Sequence, residues 1–108
     1  MKLARFALLL PLALPVMAHA QPSEYTIVIK EHRFQPAELA VPAGKRIKLV
    51  IDNQDATPEE FESKQLRVEK IVPGGTKGTV TVGPLKPGSY PFFGEFHEDT
   101  AQGKLHAK

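Results

Sequence analysis

The sequence predicts an all-β fold, an antiparallel Greek-key β-sandwich, on three observations. Its apolar residues alternate with polar ones in short period-two runs. Turn residues punctuate those runs about every ten positions, the rhythm of a sandwich rather than of βαβ units. Only one short stretch, Thr57 to Ser63, has helix-start chemistry.

Tyr25-Thr26-Ile27-Val28-Ile29 is β-branched and opens the first strand. Glu38 to Val41 is a second extended piece, ended by the turn Pro42-Ala43-Gly44. Ile47, Leu49 and Ile51 then alternate with Lys48, Val50 and Asp52. Between Thr57 and Ser63 a short helical turn is expected: Thr57 suits a cap, Pro58 the first turn, and Glu59 and Glu60 the positive end of a helix. Leu66 and Val68 alternate with Arg67 and Glu69 before the turn Pro73-Gly74-Gly75. Val80 and Val82 form the next strand, Pro84 to Gly88 another turn, Tyr90 to Phe93 an aromatic strand, and Lys104 to Ala107 the last. Phe92, in step with Tyr90, is assigned to the core, and Phe93 and Phe96 to the outside.

Residues 1–20 have a basic start (Lys2, Arg5), an apolar run interrupted by Pro11 and Pro15, and a small-residue site, Ala18-His19-Ala20. This is the pattern of a secretory signal peptide, with an apolar run too short for a bilayer span. The organisation expected is therefore a leader over 1–20 and one domain over 21–108, exported and not membrane-spanning after cleavage. Lys2 and Arg5 carry the formal net charge of +2, and without them 12 basic residues face 12 acidic ones. Nucleic-acid binding thus loses its electrostatic footprint. The absence of cysteine excludes disulfides, zinc-thiolate sites, iron–sulfur clusters and thiol catalysis.

Two polar clusters remain to carry chemistry, 52–62 and 94–103, each following an apolar strand. Both are rich in carboxylates, and the second holds His97 among Glu95, Glu98 and Asp99. No Gly-rich phosphate loop, G-x-S-x-G or H-E-x-x-H motif is present. His32 and His106 read as rim and exposed residues, with His32 as a second metal ligand the lesser reading.

Phe34-Gln35-Pro36, Val41-Pro42-Ala43-Gly44 and the strand Leu49 to Asn53 resemble the opening of cupredoxin domains. Pro84-Leu85-Lys86-Pro87-Gly88-Ser89-Tyr90-Pro91-Phe92 resembles the strand that leads into their copper loop. Carried over position by position, the family's first His falls on Glu59, its Cys on Gly94, its second His on His97 and its axial Met on Gln102. Only His97 is retained, and without Cys a blue copper site cannot form. Glu59, Glu60, Glu95, His97 and Glu98 are the metal-ligand candidates, an oxygen and imidazole set suited to a copper(II) or iron ion.

The stretches Tyr90 to Ala101 and Asp55 to Ser63 resemble the Cys-less cupredoxins of bacterial periplasmic iron uptake. That resemblance implies a periplasmic metal-binding protein of iron acquisition. Its implied partners are a periplasmic iron-binding protein and an inner-membrane iron permease. Two rival readings are a partner-binding module with a degenerate site and a copper-dependent ferroxidase-like protein.

Overall fold

The computed structural model describes residues 23–108 together with Pro11, so the leader expected over 1–20 lies outside the described residues. Nine strands form two sheets: β1 (Glu24–Lys30), β2 (Arg33–Gln35), β3 (Glu38–Val41), β4 (Ile47–Asn53), β5 (Glu59–Ser63), β6 (Val68–Val72), β7 (Lys77–Val82), β8 (Gly88–Gly94) and β9 (Gln102–Ala107). One sheet has the order β2-β1-β4-β7 and the other β3-β9-β8-β5-β6. The expected all-β sandwich is therefore present, with one refinement. Both sheets are mixed, since β1 runs parallel to β4 and β3 parallel to β9.

The helical turn expected between 57 and 63 is instead β5. Glu59, Phe61 and Ser63 are buried, whereas Glu60 and Glu62 are only partly so. That period of two meets the sandwich interior, which the local helix-start signals of Pro58 and the glutamates cannot match. Among the described residues the one helical element is a 3-10 turn at Glu95–His97. A short hairpin partner, β2, was not expected from the sequence, and Leu66 lies in a turn ahead of β6 rather than in a strand.

The core is the overlap of the two inner faces. Ile27 and Ile29 from β1, Leu49 and Ile51 from β4, and Phe61, Phe92 and Leu105 from the other sheet are all buried. Each such side chain contributes roughly 1.5–3 kcal/mol when taken out of water. Phe34, Phe61 and Phe92 meet at centroid distances of 5.0–5.8 Å, with Phe34 edge-on to both others. Gly103 is required beside this cluster, because a Cβ there would run into the Phe92 ring.

Strand direction brings the polar loops together. β1, β4 and β8 end at one pole, where β5, β7 and β9 begin. Both acidic clusters and the β1–β2 turn therefore share that pole.

Candidate functional site

Asn53, the last residue of β4, is fully buried and organises the loop that follows. Its Nδ2 donates to the carbonyls of Thr57 (2.9 Å) and Val72 (3.0 Å), and its Oδ1 accepts from the Asp55 amide at 3.1 Å. This fixes Asp55 at the pole and delivers the chain into β5 at Glu59.

Glu59 is 1% exposed, an unusual place for a carboxylate, and it is fully partnered. Oε1 accepts from the amides of Phe96 (2.9 Å) and Glu60 (3.0 Å), and Oε2 lies 2.6 Å from His97 Nδ1. The β8–β9 loop is closed behind His97, whose carbonyl accepts from the amides of Ala101 (2.8 Å) and Thr100 (3.2 Å). Gly94 makes room for the carboxylate: a Cβ there would lie 2.6 Å from Glu59 Cδ and 2.8 Å from its Oε1.

The β1–β2 turn adds a second imidazole. Glu31 and His32 both have positive φ, 53° and 57°, the requirement of a two-residue type I′ hairpin usually met by Asn-Gly. Asp55 holds the turn, with Oδ1 accepting from the Glu31 amide at 2.8 Å and Oδ2 from the His32 amide at 3.0 Å. His32 Nδ1 lies 3.4 Å from Asp55 Oδ2, and the ring stacks on His97 with centroids 3.6 Å apart and planes 12° from parallel. Burial alone would raise the Asp55 pKa, but the two amides and the charges of His32 and His97 outweigh it and hold the carboxyl below its ordinary value.

A third group stands on the outer face of the five-stranded sheet. Glu60 and Glu62 from β5 and Glu95, just after β8, place carboxylate oxygens all within 4.8 Å of one another. Partial burial and then the charges of Glu95, Glu69 and Glu59 raise the Glu60 pKa; Glu95 also hydrogen-bonds it. Glu62 is pushed up to about 7, first by a hydrogen bond with Glu95, then by burial and by Glu95, Glu69 and Glu60. Its Oε2 is shielded from water and has no donor of its own. Two ionised carboxylates are acceptors only, so the trio is short of one proton or one cation.

The five ligand candidates are thus divided. Glu59 and His97 are joined to each other inside the pole. Glu60 and Glu95 come together with Glu62, a residue the sequence reading left out. Glu98 does neither; it lines an open groove of about 680 Å³ with Lys64, Phe93, Asp99 and Lys104, and its carbonyl accepts from Gln102 Nε2 at 3.0 Å. His106 is half-buried rather than exposed, bonded to Ser89 and Glu38. Phe92 is core and Phe96 is 44% exposed, as expected.

The sequence profile of the cupredoxin-like domain family matches residues 3–107. An uncharacterized protein of Rickettsia prowazekii (strain Madrid E) is 50% identical over 80 residues, covering 74% of this chain. The chain spans 64% of the length of that relative. Auracyanin A, a "blue" copper protein of Chloroflexus aurantiacus, is similar with a TM-score of 0.68 and 18% identity, over 79% of this chain and 98% of its own. Amicyanin of Paracoccus versutus is similar with a TM-score of 0.63 and 16% identity, over 84% of this chain and 87% of its own. At such identities the structural likeness shows a shared fold.

Proposed function

Since the chain belongs to the cupredoxin-like domain family, we propose that it is a periplasmic metal-binding module of iron acquisition, holding its ion on the outer-face carboxylates Glu60, Glu62 and Glu95. The observation that carries this reading is the convergence of three carboxylate oxygens that form no salt bridge among the described residues. Repulsion within the trio is relieved by one proton or by a metal ion, and an all-oxygen set suits hard cations such as iron better than copper(I).

A blue copper centre does not fit these residues. The chain has no cysteine, the volume next to Gly94 is filled by the Glu59 carboxylate, and His97 Nδ1 is committed to that same carboxylate. Electron transfer through a copper–thiolate bond is therefore not part of the proposal.

Each residue of the trio has a definable part. Glu62 and Glu60, two apart on β5, present their carboxylates side by side, and Glu95 closes the third corner from the 3-10 turn that follows β8. Glu59 steadies this arrangement from behind, because its Oε1 accepts the amides of Glu60 and of Phe96, each the trio's own residue or its neighbour. Export rests on the leader pattern of residues 1–20, and among the described residues no helix is long and apolar enough to cross a membrane. The periplasmic iron-binding protein and the iron permease are the partners this reading calls for, and the exposed Phe96 beside the pole offers them an apolar contact.

Calorimetric titration of chelator-stripped protein with Fe(II) under anaerobic conditions, and with Cu(II), tests the site. One equivalent should bind, and Glu60→Gln together with Glu62→Gln should weaken binding at least tenfold with the fold intact by circular dichroism. Equal affinity in the double variant refutes the site. For the pathway, deletion should impair growth on limiting iron, and the double variant should not restore it.

A further inference from the structure

We propose that the open groove on the outer face of the five-stranded sheet docks a second copy of this chain, in a weak two-fold dimer. The groove, about 680 Å³, runs over Pro91 and Phe93 of β8, which alternate with the core residue Phe92 and so point away from the interior. Its charged lining is divided by sign. Lys104 pairs with Pro91 across β9 and β8, and Lys64 follows Ser63, whose Oγ donates to the Pro91 carbonyl at 2.7 Å. The next outward pair is Phe93 with Gln102, and beyond it, in the β8–β9 loop, come Glu98 and Asp99. Two lysines therefore stand on one side of Phe93 and two acids on the other. Glu38, the remaining charge of the lining, is bonded to His106 Nε2 at 3.1 Å. Lys64, Lys104, Glu98 and Asp99 are exposed and form no salt bridge among the described residues.

Such a face is its own complement. A two-fold axis lying across the strands at Phe93 reverses the strand direction. It brings Lys104 of one copy against Glu98 and Asp99 of the other, and the reverse, with Phe93 against Phe93. Lys64 is carried by the same operation towards the glutamates of β5. An axis along the strands would set like charges on like, so the charge pattern selects the first arrangement. The size of the face sets the strength. Four strands spaced about 4.8 Å apart and five residues of about 3.3 Å each give roughly 300 Å² of sheet, well under the ~800 Å² per partner of a standard interface. The dimer is therefore transient, and being held by exposed charges it weakens with salt.

Sedimentation equilibrium up to millimolar protein tests this, on chelator-stripped material so that the result does not depend on metal binding at the trio. A reversible monomer–dimer equilibrium should appear at low salt and dissociate in about 1 M NaCl, where the screening length is only about 3 Å. Lys104→Glu should weaken dimerisation at least tenfold, and so should Glu98→Lys combined with Asp99→Lys, each with an unchanged circular dichroism spectrum. Mixed in equal amounts, the two variants should pair again, because each then offers the sign the other lacks at both reciprocal contacts. A monomer at every concentration overturns the proposal. So does a dimer that Lys104→Glu leaves intact, or two variants that stay monomeric when mixed.

Discussion

Glu59 Oε2 lies 2.6 Å from His97 Nδ1, and the carboxylate that makes this contact fills the volume a side chain at Gly94 would need. The glycine at 94 and the buried glutamate at 59 therefore form one steric unit. A β-carbon at 94 and a carboxylate at 59 exclude one another, so Gly94→Ala should destabilise the protein by about 1–3 kcal/mol, the usual cost of overpacking. Urea denaturation of the variant measures this.

Replacing Glu59 by Ala leaves the amides of Phe96 and Glu60 and the His97 Nδ1 without their acceptor. Orphaned donors of this kind cost about 1–3 kcal/mol each when shielded from water. We expect Glu59→Ala to lower stability by about 2–4 kcal/mol, less than the sum because His97 is partly exposed and rehydrates. A loss under 1 kcal/mol in chemical denaturation would show that the contact carries little of the fold.

The trio sets a pH dependence of unusual sign. The Glu62 carboxyl titrates at about 7 in the folded protein against 4.5 as its ordinary value. Between those values the folded chain keeps a proton the unfolded chain has released, so stability falls as pH rises from 4.5 towards 7. Glu62→Gln should flatten this slope and raise the melting temperature at neutral pH. Melting curves at half-unit pH steps, with and without Fe(II), decide it; an unchanged slope in the variant contradicts the arrangement.

Asp55 acts in the opposite sense. Its folded pKa lies below the ordinary 3.8, so its contribution is fully present above that value and is lost as pH falls through the depressed one. Asp55→Ala should cost about 1–3 kcal/mol by freeing the Glu31 and His32 amides, and should separate the stacked rings. Amide hydrogen exchange at residues 30–33 should quicken in the variant and, in the wild type, only in acid.

Copper(II) added to the protein should produce only weak d–d absorption, as no thiolate is available for an intense charge-transfer band. An intense blue colour would contradict the carboxylate ligand set.

Much of this arrangement was readable from residue order. Alternation in Ile47 to Asn53 and in Gly88 to Gly94 carried the sandwich, because half-buried strands write a period of two into the chain. The site was harder to read, and β5 shows why. Pro58, Glu59 and Glu60 satisfy the local preferences of a helix start, and only contact with β6 and β8 makes a strand of them. On a strand Glu60 and Glu62 share a face, whereas on a helix they would point to different sides. Glu62 was missed because the candidates in this stretch were carried over from the position of the family's first His, onto Glu59 and its neighbour Glu60. His32 and Asp55 lie 23 positions apart in sequence, and nothing local foretells a turn whose amides are capped from so far along the chain.

The parallel pairing of β1 with β4 gives the molecule a front and a back. At the back, the Ser23 carbonyl accepts from the Lys48 amide at 2.8 Å, and the Lys108 amide donates to Val41 at 3.1 Å. Seven residues of β1, about 23 Å of extended chain, separate that end from the histidine pair. Whatever is joined ahead of Ser23 or behind Lys108 is attached at the rear. A tether, a fused neighbour or a solid support can therefore hold this domain with the stacked rings of His32 and His97 at the opposite end.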